Sequence, residues 1–168
     1  MKRPQPDEYS AFYQTYIDKV DDDVLSELKD QIESLGTFLK SIPQDKVNYA
    51  YAEGKWTVKE VLGHIIDTER IMTYRLLRFA RNDASPLPGF EENDYIQNSH
   101  YATQDFSLLI EEMLALRKAN LYLFNSLTAE EMERRGVANN SPLSVRALLF
   151  ILAGHMKHHV GVLMERYL

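Results

Sequence analysis

Three histidines fall within five residues near the end of the chain, in the stretch LAGHMKHHVG, residues 152–161. Imidazoles in an apolar run can be core filler, a surface patch or part of a metal site. On a helix that turns about 100° per residue, positions i and i+4 lie about 40° apart and their side chains are neighbours. His155 and His159 form such a pair. They continue the line through Leu148 and Leu152, so they are expected to face the interior. His158 sits about 60° from His155 and about 100° from His159, on the side of Lys157 and Glu165, and reads as a flank.

Burial disfavours the imidazolium cation, so two interior imidazoles cannot both charge without a partner. A divalent metal resolves this by accepting neutral imidazole nitrogen. Two ligands do not complete a site. The remaining interior candidate is His64, at the edge of an apolar stripe and directly after Gly63, which would let another group approach closely. One histidine from one helix and an i, i+4 pair from another make a three-nitrogen facial set. Catalytic zinc sites use that ligand count and keep a position open for water or substrate. Spacing alone also permits a hydrogen-bonded core His64 and a chance HxxxH pair. His100, in a long loop without a spacing partner, reads as surface.

Acidic and hydroxyl side chains near His64 could orient a ligand or carry a proton. Asp67 and Thr68 lie one turn after it and Glu60 one turn before. Asp67 is the candidate catalytic residue, since Glu60 already has a capping role. Trp56 could line a pocket or anchor the core. A bundle di-iron site needs Glu-x-x-His on two helices, and no acid stands three residues before His155. The HExxH of zinc proteases is absent.

Four helical stripes would have to position these groups. The first runs from about Asp22 to Ser41, with Val24, Leu25, Leu28, Ile32, Leu35 and Leu39 at three- and four-residue steps, and Pro43 ends it. The second starts at Thr57, whose partner Glu60 makes a capping box, and carries Val58, Val61, Leu62, Ile65, Met72, Leu76 and Phe79. The third spans about Phe106 to Leu127 and the fourth about Ser144 to Tyr167, the latter with Val145, Leu148, Leu149, Leu152, Val160, Leu163 and Met164 inward. No strand-like alternation of comparable strength appears. The expectation is an all-α four-helix bundle, a single domain over residues 1–168 with residues 1–20 as an N-terminal extension. Residues 82–105 form one long connection, rich enough in aromatics to cover a site rather than be disordered. The segment YSAFYQTYI would place aromatics outside the bundle, which suggests a homodimer interface.

Composition sets outer bounds. The chain has 168 residues, 45% hydrophobic and 26% charged, with seven glycines and six prolines, which suits long helices better than a turn-rich β fold. A net charge of −6 argues against nucleic acid as partner. The absence of cysteine excludes disulfides, zinc fingers and a cysteine nucleophile. No signal-type N-terminus or run of membrane-spanning length stands out, so a cytoplasmic protein without a membrane partner is expected.

The chain resembles the DinB-like family of four-helix metal proteins, which includes the YfiT-type hydrolases and bacterial low-molecular-weight thiol transferases. The resemblance spans roughly residues 22–168 and is most specific in YAEGKWTVKEVLGHIIDTER, in RFARND…PLPGFEENDY and in GHMKHH. It implies that His64, His155 and His159 bind a divalent metal, nickel or zinc most often. It implies also a small-molecule substrate, with a thiol such as bacillithiol, mycothiol or glutathione activated for transfer. A hydrolase on the same three histidines, and a non-catalytic metal-binding bundle, are the rival expectations.

Overall fold

Asp23, Thr57, Asp105 and Ser144 each precede an apolar stripe, and each turns a side-chain oxygen back onto a backbone N–H of the first helical turn. Such caps are worth about 1 kcal/mol apiece and fix where a helix begins. At Thr57 the box closes in both directions, with the Thr57 N–H donating to Glu60 Oε2 at 2.7 Å and the Glu60 N–H to Thr57 Oγ1 at 3.3 Å. The computed structural model describes residues 2–83 and 85–168. In chain order its helices are α1 (Gln14–Ile17), α2 (Val24–Ser41), α3 (Val58–Ala80), α4 (Glu92–Gln97), α5 (Phe106–Ser126), α6 (Ala129–Glu133) and α7 (Val145–Arg166). The four long ones, α2, α3, α5 and α7, match the expected stripes to within about two residues at each end.

The order of those helices around the bundle is less simple. α2 packs against α5 and α7, and α3 packs against the same two. Helices consecutive among the four, α2 with α3 and α5 with α7, therefore face each other across the diagonal. Residues 42–57 and 127–144 have to carry the chain across the bundle, so the long segment between α3 and α5 is one of three extended connections. The second diagonal crossing contains a hairpin that the helical reading missed: β1 (Arg135–Ala138) pairs antiparallel with β2 (Ser141–Ser144). Asn139 and Asn140 turn it, both at positive φ (50° and 59°), the conformation a two-residue hairpin loop requires and asparagine tolerates.

The connection at 82–105 is ordered by its neighbours. Leu87 bridges Ala138 in parallel, with its N–H donating to the Val137 carbonyl at 2.9 Å. α4 follows, then a 3-10 turn at Tyr101–Thr103 that lays the Tyr101 ring on α3.

Two sequence expectations need correction here. The N-terminal segment is not outside the bundle: Ile17 and Val20 are 1% and 2% exposed, Tyr9 is buried, and α1 packs on α7. Gly154 makes that possible, because a Cβ there would lie 2.0 Å from the Tyr16 carbonyl oxygen. Of the aromatics in that segment only Phe12 is strongly exposed, so the premise of a dimer-forming patch is reduced to one ring. Second, α7 does reach membrane-spanning length and hydropathy; its first half is sheathed by α1, α2, α3, α6 and β2, which makes it the core helix. Toward its end the sheath thins, and Met164, expected in the core, is exposed.

The apolar core falls into two clusters. One gathers Val24, Leu28, Leu76, Phe79, Phe124 and the first half of α7; the other gathers Leu35, Leu39, Leu62, Ile65, Leu109 and Leu163. Between them runs a buried polar layer. Arg117 donates from Nε and Nη2 to the two carboxylate oxygens of Glu69 at 2.7 and 2.8 Å, and from Nη1 to Gln31 Oε1 at 2.7 Å. Gln31 passes the chain on to the Ala153 carbonyl at 2.9 Å. A charged pair on two apolar stripes is stable in such a place only when its hydrogen-bonding capacity is filled, as it is here.

Candidate metal centre

His64 comes from the middle of α3, His155 and His159 from successive turns of α7, and the packing of α3 on α7 brings them face to face. His64 Nε2 lies 2.9 Å from His155 Nε2, which lies 3.1 Å from His159 Nε2. All three ligand atoms fall within 4.8 Å of one another. A neutral imidazole has one N–H and one lone pair, so three ε nitrogens aimed at one point leave acceptors opposed unless a cation sits among them. Two nitrogens each about 2.0–2.1 Å from one ion lie close to 3 Å apart at a right angle, which is the spacing observed. The donor set fits a divalent metal.

The surroundings keep these ligands neutral. Burial holds the His64 imidazolium down, to a pKa of about 4, with the nearby His158 adding to the effect. Burial lowers His155 well below the ordinary value, helped by the charges its neighbours would carry, and His159 follows for the same reasons. Trp56 stacks its ring 4.9 Å from that of His64, so it is a wall of the site as well as an anchor. Tyr16 meets the His155 ring edge-on at 5.4 Å.

His158 is not among the three converging nitrogens and packs against Tyr16 and His159, at ring distances of 5.3 and 5.0 Å. His100 is exposed and lies outside the set. Glu60 is spent on its capping box. Asp67 is not brought to the triad: its Oδ1 accepts the Tyr101 hydroxyl at 2.7 Å, and it faces a separate cleft with His100 and Glu112. Burial raises its carboxyl, while Tyr101 and Arg70 pull it down. The expected close approach at Gly63 is real, and the group that uses it is Tyr101, whose ring would lie 2.2 Å from a Cβ there.

Two cavities flank the triad and have no lining residue in common. One, of about 250 Å³, lies between α1, α3 and the 82–105 connection and reaches His155. The other, of about 400 Å³, is lined by Tyr51, Lys55, Trp56 and Tyr167 and reaches His159. Sequence reasoning weighed Thr68, in the first, as a group that orients a ligand or carries a proton and missed Arg75 altogether. Both continue the His64 stripe of α3 in steps of four, four and three residues, with Met72 between them, and that spacing was the available signal.

Comparison with known proteins agrees with this arrangement. A protein of Oceanobacillus iheyensis provisionally named a metal-dependent hydrolase is 29% identical over 140 residues, covering 82% of this chain and 79% of its own. A similarly named Geobacillus kaustophilus protein is 28% identical over 133 residues, covering 76% and 72%. Among solved structures, YfiT of Bacillus subtilis, described provisionally as a metal-dependent hydrolase with an unusual four-helix bundle topology, superposes with a TM-score of 0.73 at 17% identity, covering 98% of this chain and 90% of its own. The mycothiol-dependent maleylpyruvate isomerase superposes at 0.66 with 10% identity, over 90% of this chain and 62% of that one. The diagonal helix order thus recurs as a fold rather than as an oddity of one sequence. With the DinB superfamily profile matching residues 27–163, through all four long helices and the three facing histidines, the chain belongs to the DinB superfamily.

Proposed function

We propose that this protein is a metal-dependent enzyme that transfers a small thiol to an electrophilic substrate, with His64, His155 and His159 holding the metal. Held by these three histidines, a divalent ion would supply Lewis acidity that lowers the pKa of a thiol and makes it a better nucleophile. Its identity is proposed as nickel or zinc. The chain's own contribution is to fix three neutral nitrogens on two packed helices, to wall the site with Trp56 and Tyr16, and to exclude bulk water from His155.

What supports transfer over hydrolysis is the pair of separate cavities meeting at the triad. A thiol and its acceptor need two approaches to one reacting centre; water needs none of that size. The names of the relatives favour the second reading, hydrolysis on the same three histidines. Protein purified without a histidine tag, analysed for metal and then loaded with nickel or zinc, separates the two. Consumption of an alkylating reporter only when bacillithiol, mycothiol, glutathione or cysteine is present supports transfer. Ester or amide turnover without any thiol supports hydrolysis and sinks the transfer reading.

A further inference from the structure

Arg75 is 3% exposed, yet among the described residues it has no carboxylate within ion-pairing distance. Its Nη2 donates to the Pro88 carbonyl at 2.8 Å, its Nη1 reaches the Met72 sulfur at 3.6 Å, the neutral Tyr13 hydroxyl lies beside it, and its Cζ lies 5.8 Å from the centre of the Phe90 ring. A guanidinium has five N–H donors, and a buried cation without a counter-charge is costly. Arg117, equally buried in the same protein, shows the alternative: both oxygens of Glu69 and two further acceptors surround it.

Arg75 lines the smaller cavity beside the triad, and so does Thr68. The Thr68 hydroxyl is buried and is the one side-chain oxygen or nitrogen among the described residues that is sealed from solvent without a hydrogen-bond partner. A buried cation without a carboxylate and a hydroxyl without a partner, on one stripe of one helix and in the lining of one cavity, are complementary to an oxyanion. Four aromatic side chains, Phe12, Tyr13, Tyr16 and Phe90, also line the cavity. Glu91 and Glu92 also border the cavity, but neither pairs with Arg75. At about 250 Å³ the space lies below the roughly 300–1,000 Å³ of drug-sized pockets.

We infer that this cavity binds a small organic acid, its carboxylate on Arg75 and Thr68, its body among the aromatic rings and its far end toward His155. This names the class of the acceptor substrate and to that extent rests on the transfer reading; the binding of the acid itself does not require the metal. The thiol is left the larger cavity at His159.

The test uses the full chain stripped of metal and desalted, titrated calorimetrically with benzoate and with benzamide, its uncharged isostere. Benzoate is expected to bind at least tenfold more tightly than benzamide. Arg75→Met should remove that preference, and Thr68→Val should reduce it severalfold without abolishing it. Equal binding of acid and amide by the unaltered protein overturns the inference, as does a preference that survives Arg75→Met, or no binding of either at millimolar concentration. The comparison within the unaltered protein holds even where a variant fails to fold. Repeating the titration after nickel loading keeps the two readings apart: loss of thiol transfer with an intact acid preference overturns the transfer reading alone.

Discussion

At the scale of single residues the site divides its histidines by angle. His155→Ala and His159→Ala each remove one of three converging nitrogens, whereas His158→Ala removes a ring that packs beside them. A ligand bound only by the folded state stabilises it by RT ln(1 + [L]/Kd). Thermal melts with and without added nickel should therefore show a metal-induced rise for His158→Ala close to that of the unaltered chain, and little or none for the other two. The reverse pattern would show the ligand set to be wrong. Protons give a second readout. An unfolded histidine titrates near 6.5, while burial keeps the folded His64 neutral down to about 4 and holds His155 well below the ordinary value. Between those values the unfolded chain binds more protons than the fold, so stability is fully present above about pH 6.5 and lost on acidification. For metal-free protein the slope should be at most about 1.4 kcal/mol per pH unit for each such group, measured as urea midpoints from pH 7.5 to 5. Metal affinity should behave differently, since the folded ligands carry no proton to displace: a nearly constant Kd over pH 7.5 to 5.5 is expected. A tenfold loss per pH unit in that range would mean the imidazoles titrate normally.

At the scale of elements, what could be read beforehand was what local chemistry decides. Thr57 with Glu60, and the stripes that follow Asp23, Asp105 and Ser144, placed four helices because caps and periodicity are properties of short windows. The i, i+4 pair on α7 was legible for the same reason, and His64 only because one other interior histidine existed to complete it. Contacts made at distance were not legible. Gly154 gives no local sign that the Tyr16 carbonyl will press on it, so the N-terminal segment seemed external. Asp67 looked like a proton carrier until Tyr101, 34 residues on, took its oxygen. The Asn139–Asn140 turn was a local signal and could have been recognised as a hairpin. The α1–α7 contact can be tested through Gly154→Ala, whose new methyl group meets backbone, which cannot rotate aside. A loss of about 1–3 kcal/mol is expected, as for overpacked cores, and benzoate binding should weaken with it, because Tyr13 and Tyr16 leave the cavity wall. Unchanged stability would show that α1 is not docked as described.

Across the whole molecule, the polar layer between the two apolar clusters ties all four long helices together. Arg117 and Glu69 join α5 to α3, and Gln31 links that pair from α2 to α7. Removing one partner of a buried pair typically costs about 3–5 kcal/mol, whereas replacing both by apolar groups of similar volume is often close to neutral. Arg117→Met alone should therefore destabilise strongly in chemical denaturation, and the double variant Arg117→Met with Glu69→Leu should recover most of the loss. Additive losses would mean that the pair is not a closed unit.

The facing nitrogens of His64 and His155 are separated by 91 positions in the chain, and the helices that carry them meet only after a diagonal crossing has been made. Loops of that length close late, because their entropy is lost before the contacts they enable are gained. A nascent or half-collapsed chain then has no three-nitrogen site to offer, and metal finds its ligands only once the native topology stands. In kinetic terms the ion acts on the native side of the folding barrier. Added nickel should slow unfolding in proportion to the stability it adds and leave the refolding rate almost unchanged. Refolding that accelerates with metal would place the assembly of the site before the barrier instead.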